Sequence, residues 1–407
     1  MTSLLLATTA ACSSGGGGEG AEVTMWMYPV IRDEGTSQKF WKQAEADFEA
    51  AHKNIDLTIE LQTFEQRDTQ ITSALAAGSG PDIVMITPDQ LSTYAAKDGL
   101  LPVTEVIADK RGKFYPSTVE AATFKGELYG VPLFQNVNTT SYNTAIFEKF
   151  GIEELPTTWE EIRELAPKLA AEGIAIMDYA GNPKVTLNVT FYPLLWQAGG
   201  RIFTEDGTDV AFDGKEGVAT LKFLVELNKM GALPPDAATK PNKVEGSPLA
   251  AGKVAIRYMT SFTQLEQMRA ALGEENVVLG KPLKGKKRVT FASPGLLSLT
   301  SINSESNRQA AYKVMSFLTS PDMQAALNEA SGTFPTRKDV PIPGEGPDYE
   351  AMSAALEYAH PGEPHPQARP VQEILKPYLQ AALLGKKTPE EALSQAAAEA
   401  RKLLARS

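Results

Sequence analysis

A single cysteine, Cys12, stands in 407 residues, so no internal disulfide can form. Histidines number three, His52, His360 and His365, and no two stand at His-X-X-X-His spacing. With no Cys-X-X-Cys either, a zinc site has no support, and neither a metal nor a cofactor is expected. No Gly-X-X-X-X-Gly-Lys-Ser/Thr loop is present for nucleotide phosphates, and Gly78-Ser79-Gly80 lacks the longer spacing of a nucleophile elbow. Basic residues are in deficit, 39 against 50 acidic, for a net charge of −11, which makes nucleic acid and anionic membranes poor partners. The one basic cluster, Lys281 to Arg288, contains Pro282 and Gly285 and reads as an exposed turn before a strand. After Cys12 no stretch is apolar for long enough to span a bilayer. Carboxylates abound, but nothing singles out two of them as a hydrolytic pair.

What is present describes a soluble globular chain, 43% hydrophobic and 22% charged, and its length exceeds what one core usually serves. Glu22 to Tyr28 reads as a strand with apolar residues on both faces, as in a sheet covered on both sides. Helix and strand then alternate: Thr36 to Ala51, Leu57 to Leu61, Asp68 to Ala77, Ile83 to Ile86, Asp89 to Lys97. These spacings predict βαβ units and a parallel sheet. Later helices are expected over Trp159 to Ala171, Asn188 to Ala198, Gly214 to Met230, Gln264 to Leu272, Asn307 to Thr319, Val371 to Leu384 and Pro389 to Leu404. Val289 to Leu299 reads as a strand broken by Pro294-Gly295. Trp196 reads as helix core.

The stretch from Phe124 to Ile162 organises the rest. Lys125-Gly126 turns a short hairpin, a strand-like run reaches Tyr142, a short helix ends at Gly151, and Thr157 or Thr158 caps the next helix. Gly126, Tyr129, Gly130 and Pro132, then Tyr142-Asn143, Phe147, Gly151, Pro156, Thr158 and Trp159, stand in an order that resembles the family 1 extracellular solute-binding proteins, the maltose-binding-like receptors of bacterial ABC importers. Trp26, Phe48-Glu49, Gly80-Pro81-Asp82, Gly99-Leu100, the Gly252 to Ile256 strand and Gly332 to Pro335 extend the likeness from about Val23 to the end. It implies an α/β, two-lobed periplasmic-binding-protein-like fold (type II), each lobe a central mostly parallel sheet flanked by helices, with a ligand cleft between. The expected division is residues 1–20 as signal remnant and Gly/Ser linker, 21–135 with 293–335 as the first lobe, and 136–292 with 336–407 as the second.

A sugar site needs aromatic faces for the pyranose ring and planar polar groups for its hydroxyl pairs, placed at the carboxyl edge of the strands. Tyr28 and Arg32 follow strand one, Phe64 and Arg67 follow strand two, and Asp89 and Gln90 follow strand three. By resemblance, Asp89 stands where the relatives have a hydroxyl-binding aspartate, Gln90 where they have an arginine, and Asn136 where they have a glutamate. Tyr192 and Phe262 stand at the places of stacking tryptophans, and Gln372 replaces a third. Phe134, Asn188, Thr260 and Phe334 complete the candidate set. Ile86 replaces a further ring, and fewer rings favour a smaller or differently shaped glycan over a long maltodextrin. Pro88 disfavours a helical Thr87, so Asp89 is expected to start its helix.

Ahead of the fold, Leu4 to Leu6 and the small residues before Cys12 resemble the end of a secretory signal with a bacterial lipoprotein cleavage site, although no basic segment precedes them and Thr9 stands where leucine is usual. The implied protein is a non-enzymatic, monomeric carbohydrate receptor, lipid-anchored through Cys12 at the extracellular face of the cytoplasmic membrane (periplasmic in a Gram-negative source). Its partners are the sugar and the permease subunits of an ABC transporter. A receptor for glycerol-3-phosphate or another polyol is the alternative binder, and a glycoside hydrolase the alternative of another class.

Overall fold

The apolar alternation at the start of the chain does build a buried strand. In β1 (Ala21–Met27) Val23, Met25 and Met27 are buried, while Thr24 and Trp26 are half-covered on the other face. The computed structural model describes residues 20–31, 33–63 and 66–406. The further strands are β2 (Ile55–Leu61), β3 (Ile83–Ile86), β4 (Leu100–Leu101), β5 (Thr123–Phe124), β6 (Glu127–Leu128), β7 (Val131–Val137), β8 (Thr139–Asn143), β9 (Ala175–Met177), β10 (Val254–Thr260), β11 (Val277–Gly280), β12 (Thr290–Thr300) and β13 (Ala359–His360).

The βαβ units give the parallel pairings: β1 lies parallel to β2 and to β3, joined through the helices Glu34–Ala51 and Arg67–Ala77. Strands that carry the chain between lobes add antiparallel ones. The first sheet runs β13-β12-β3-β1-β2, with β4 and β7 also on β12. The second runs β11-β8-β10-β9, with β8 antiparallel to both neighbours and β9 parallel to β10. Both sheets are therefore mixed. β5 and β6 form the separate small hairpin turned at Lys125-Gly126.

Two cores result. One gathers Met25, Trp41, Phe48, Ile83, Leu91, Phe134, Leu297, Met315 and Leu327 around the first sheet. The other gathers Tyr142, Trp159, Ile176, Phe191, Phe223, Ile256, Val371, Leu375 and Ala396 around the second. The chain passes from one to the other over a single residue, Asn138, which lies between β7 and β8. The return crossing runs beside it. Asn138 Nδ2 donates to the Phe291 carbonyl at 3.1 Å, and Thr290 Oγ1 donates to the Asn138 carbonyl at 2.7 Å. Few backbone torsions separate the lobes, which is the construction of a hinge.

Pro294-Gly295 does not break its strand. β12 is continuous, and the pair sits where its register against β7 shifts, between Gly295 and Leu296. A Cβ at Gly295 would come within 2.5 Å of the Phe134 ring, so only glycine admits that ring against β12. The turn signal is absorbed as a β-bulge, in which β7 carries the extra residue, Leu133, opposite Gly295 and Leu296.

Candidate ligand site

β3 ends pointing at the gap between the lobes. Thr87 after it is extended (φ −98°, ψ 161°) and caps the helix Pro88–Ala95, so the helix starts at Pro88 and not at Asp89. The cap is closed by Gln90, whose Oε1 accepts from the Thr87 amide at 3.0 Å. Proline at the first helical position loses no hydrogen bond. Asp89, relieved of capping, turns its carboxylate outward. Oδ1 accepts from Thr87 Oγ1 at 2.5 Å and Oδ2 from Arg369 Nε. Burial alone would raise this carboxyl, but the Arg369 charge and the Thr87 hydrogen bond outweigh it and hold it below the usual value.

Asp89 lines a cavity of about 320 Å³ between the lobes. From the first lobe come Val30, Arg67, Thr87, Asp89, Phe134 and Asn136, the last on β7 of the first sheet although the expected division gives it to the second lobe; from the second come Asn188, Tyr192, Glu363, Arg369 and Gln372; Phe291 and Ser293 to Gly295 of β12 pass between. Tyr192 is 2% exposed, and its hydroxyl has no hydrogen-bond partner among the described residues. Burial, then the charges of Glu363 and Glu373, push that phenol well above its usual range, so it stays protonated as a donor. Gln372 Oε1 accepts from the Leu187 amide at 2.9 Å, which steadies the short turn carrying Asn188. Glu363 is spent internally: Oε1 accepts from Trp196 Nε1 at 3.0 Å and the Ile202 amide at 2.8 Å, and Oε2 from the Phe203 amide at 3.0 Å.

Seven of the residues singled out from sequence thus meet in one cavity: Arg67, Asp89, Phe134, Asn136, Asn188, Tyr192 and Gln372. Five do not line it. Tyr28 is fully buried beneath Arg67, whose guanidinium carbon lies 5.3 Å from its ring centroid, so it supports that arginine from below. Gln90 is 1% exposed and turned to the helix cap and Asp68. Thr260 is buried within the second sheet, its hydroxyl 2.7 Å from Ser141 Oγ. Phe262 and Phe334 stack on each other at 5.9 Å in an adjoining cavity of about 240 Å³, which shares Val30 and Asn136 with the first. Arg32, Phe64 and Cys12 lie outside the described residues.

Arg369, Glu363 and Thr87 escaped the sequence reading. The helix expected from Val371 begins at Ala368. Pro370 falls in its first turn, where proline is tolerated. Arg369 therefore lies three residues before Gln372 on the same helical face, a spacing that the earlier start would have revealed.

Comparison with known proteins follows the same lines. The model of the bacterial extracellular solute-binding protein family matches residues 33–325. The galactooligosaccharide-binding protein of Bacillus subtilis is 23% identical over 397 residues, 94% of this chain and 89% of its own. An ABC transporter solute-binding protein of Thermotoga lettingae, solved with α-D-tagatose, superposes at a TM-score of 0.74 and 25% identity, over 95% of this chain and 100% of its own. The cyclic α-maltosyl-1,6-maltose binding protein of Arthrobacter globiformis superposes at 0.81 and 19% identity, over 95% and 100% of the two chains, a likeness of fold.

Proposed function

Because the chain belongs to the bacterial extracellular solute-binding proteins, we propose that it captures a carbohydrate between its lobes and presents it to the permease of an ABC importer. The cavity itself carries this reading. Planar hydrogen-bonding groups (Asp89, Asn136, Asn188, Gln372, Arg67) and aromatic rings (Phe134, Tyr192) converge on it from both lobes. Such groups match paired ring hydroxyls and the C–H face of a pyranose. About 320 Å³ lies at the low end of the roughly 300–1,000 Å³ typical of small-molecule sites, which favours one or two sugar rings here. The names of the Bacillus and Thermotoga relatives point the same way.

The charge balance disfavours glycerol-3-phosphate. The two cavity arginines, Arg67 and Arg369, share the carboxylates of Asp68 and Asp89, so little uncompensated positive charge is left for a phosphate dianion. A hydrolase reading fares no better. Asp89 and Glu363 are the cavity's carboxylates, and protein donors already engage both of them. The protein returns its ligand unchanged, and hinge closure is its mechanism. The Cys12 context supports an anchored lipoprotein, and Cys12→Ser should release it into the medium.

A thermal-shift panel of mono-, di- and oligosaccharides with glycerol-3-phosphate tests the central claim. A small saccharide should raise the midpoint by mass action and be recovered intact. A shift with glycerol-3-phosphate alone, or release of a cleaved sugar, overturns it.

A further inference from the structure

Arg369 reaches across the cleft. It stands in the first turn of the helix Ala368–Leu383, whose Val371 and Leu375 are fully buried in the second core, so its origin is fixed to the second lobe. Its Nε donates to Asp89 Oδ2 and its Nη1 to Asp68 Oδ2, carboxylates on two helices of the first lobe. Those acceptors are themselves held: Gln90 Nε2 donates to Asp68 Oδ1, and Thr87 Oγ1 donates to Asp89 Oδ1. A guanidinium fork with one donor on each of two anchored carboxylates fixes direction as well as distance. We infer that Arg369 is a positioning residue, a latch that biases the ligand-free cleft towards closure and aims the Asp89 carboxylate at the cavity.

Its exposure makes the latch reversible. The side chains of Arg369, Asp89 and Asp68 are 38%, 25% and 52% exposed, so water can take over each partner when the lobes part. Opening then breaks the bridge without stranding a charge in a dry interior. A rim pair of this kind biases an equilibrium, shifting the closed-to-open ratio by about fivefold, and is screened by salt. The inference stands apart from the identity of the ligand, since every bond in it is between protein groups.

Solution scattering of the ligand-free full chain tests it, at about 0.05 M and 1 M NaCl. Wild type should be more compact at low salt than at high salt. Arg369→Met should be expanded at both. Asp68→Asn provides a second variant, because Asp68 does not line the cavity, and it should also expand. Arg369→Lys, which keeps the charge and loses the fork, should fall between. Circular dichroism checks that each variant folds; should Arg369→Met fail to, the salt response of wild type and the Asp68→Asn curve decide. Identical curves for wild type and Asp68→Asn at both salts overturn the latch, as does a wild-type curve that does not change with salt. The measurement uses no sugar, so its failure leaves the carbohydrate reading standing, and a failed sugar screen leaves the latch.

Discussion

Two charge clusters, one inside the second lobe and one across the cleft, differ in composition and in surroundings. Inside, Asp178 sits between Lys240 and Arg257, each about 3% exposed or less. Across the cleft one cation, Arg369, sits between two anions that are 25% and 52% exposed. The inner cluster keeps one unbalanced positive charge in a dry interior, whereas the cleft cluster has Arg67 beside the same two anions and water at its edge. The inner one ties β9 to β10: Asp178 directly follows β9 and its amide donates to the Ile256 carbonyl at 2.7 Å, next to Arg257. Burial therefore decides whether a charge cluster specifies a fold or sets a conformational equilibrium. The largest expected effect breaks the inner cluster. Asp178→Ala leaves two buried cations without a counter-charge and should lower unfolding free energy by about 3–5 kcal/mol. Urea denaturation measures it, and a loss below about 1 kcal/mol would mean that water reaches the cluster and that the two are alike.

A third group stands between these extremes. His360 stacks on Trp196 at 4.0 Å, and Trp196 donates in turn to Glu363. Burial, with the nearby charges of Arg201 and Lys287, lowers the imidazole to about 4. The native state therefore holds His360 neutral while the unfolded chain takes up a proton near its ordinary value of about 6.5. The stability this contributes is whole above that value and is lost as pH falls from about 6.5 towards 4, on the order of 3 kcal/mol in all. Glu363, raised by burial, opposes part of that loss, since its protonated form is favoured in the native state. Thermal melts across this pH range should show the slope, and His360→Asn should flatten it. An unchanged slope in the variant would place the acid sensitivity elsewhere, for instance in the cleft carboxylates.

The first lobe was the more legible half. Ile83 to Ile86 was read to the residue, and the end of its preceding helix was marked by Gly78, which is left-handed at φ 63°. Local punctuation is enough where βαβ units repeat. Prolines set helix starts elsewhere that differ from the expected ones. Pro193 confines its helix to Phe191–Gln197, because a helix reaching back to Asn188 would drive the ring into the Val189 carbonyl. Pro370 was accepted in a first turn, and that choice brought Arg369 into the cleft. Residues at strand ends could be nominated for the site from position alone. Which of them face the cavity depends on competing partners: Gln90 is taken by the Thr87 cap, which the Thr87-Pro88-Asp89-Gln90 spacing of a capping box signals, and Tyr28 by Arg67, which the order of residues does not show.

The smallest expected effect on folding, and the sharpest question about the cleft cluster, belongs to Asp89. A capping role is already filled by Thr87 and Gln90, so two uses remain: partner of Arg369 and acceptor for a ligand hydroxyl. Asp89→Asn keeps one oxygen for Arg369 and offers an amide hydrogen to Thr87 Oγ1, whose hydroxyl can turn to accept. The change in stability should stay within about 1 kcal/mol, the scale of a rim pair. Charge-assisted hydrogen bonds to a ligand are worth roughly 1.5–3 kcal/mol each, so affinity for the saccharide found in the thermal-shift panel should fall about ten- to a hundredfold. A double-mutant cycle with Arg369→Met separates the uses. If Asp89 served only through the latch, Arg369→Met would already remove its whole effect and the double variant would bind no worse than Arg369→Met. If it also touches the sugar, the double variant binds more weakly than Arg369→Met alone, and that is the expected outcome. Titration calorimetry giving Asp89→Asn wild-type affinity would remove Asp89 from the ligand's contacts and leave it as the second arm of the latch.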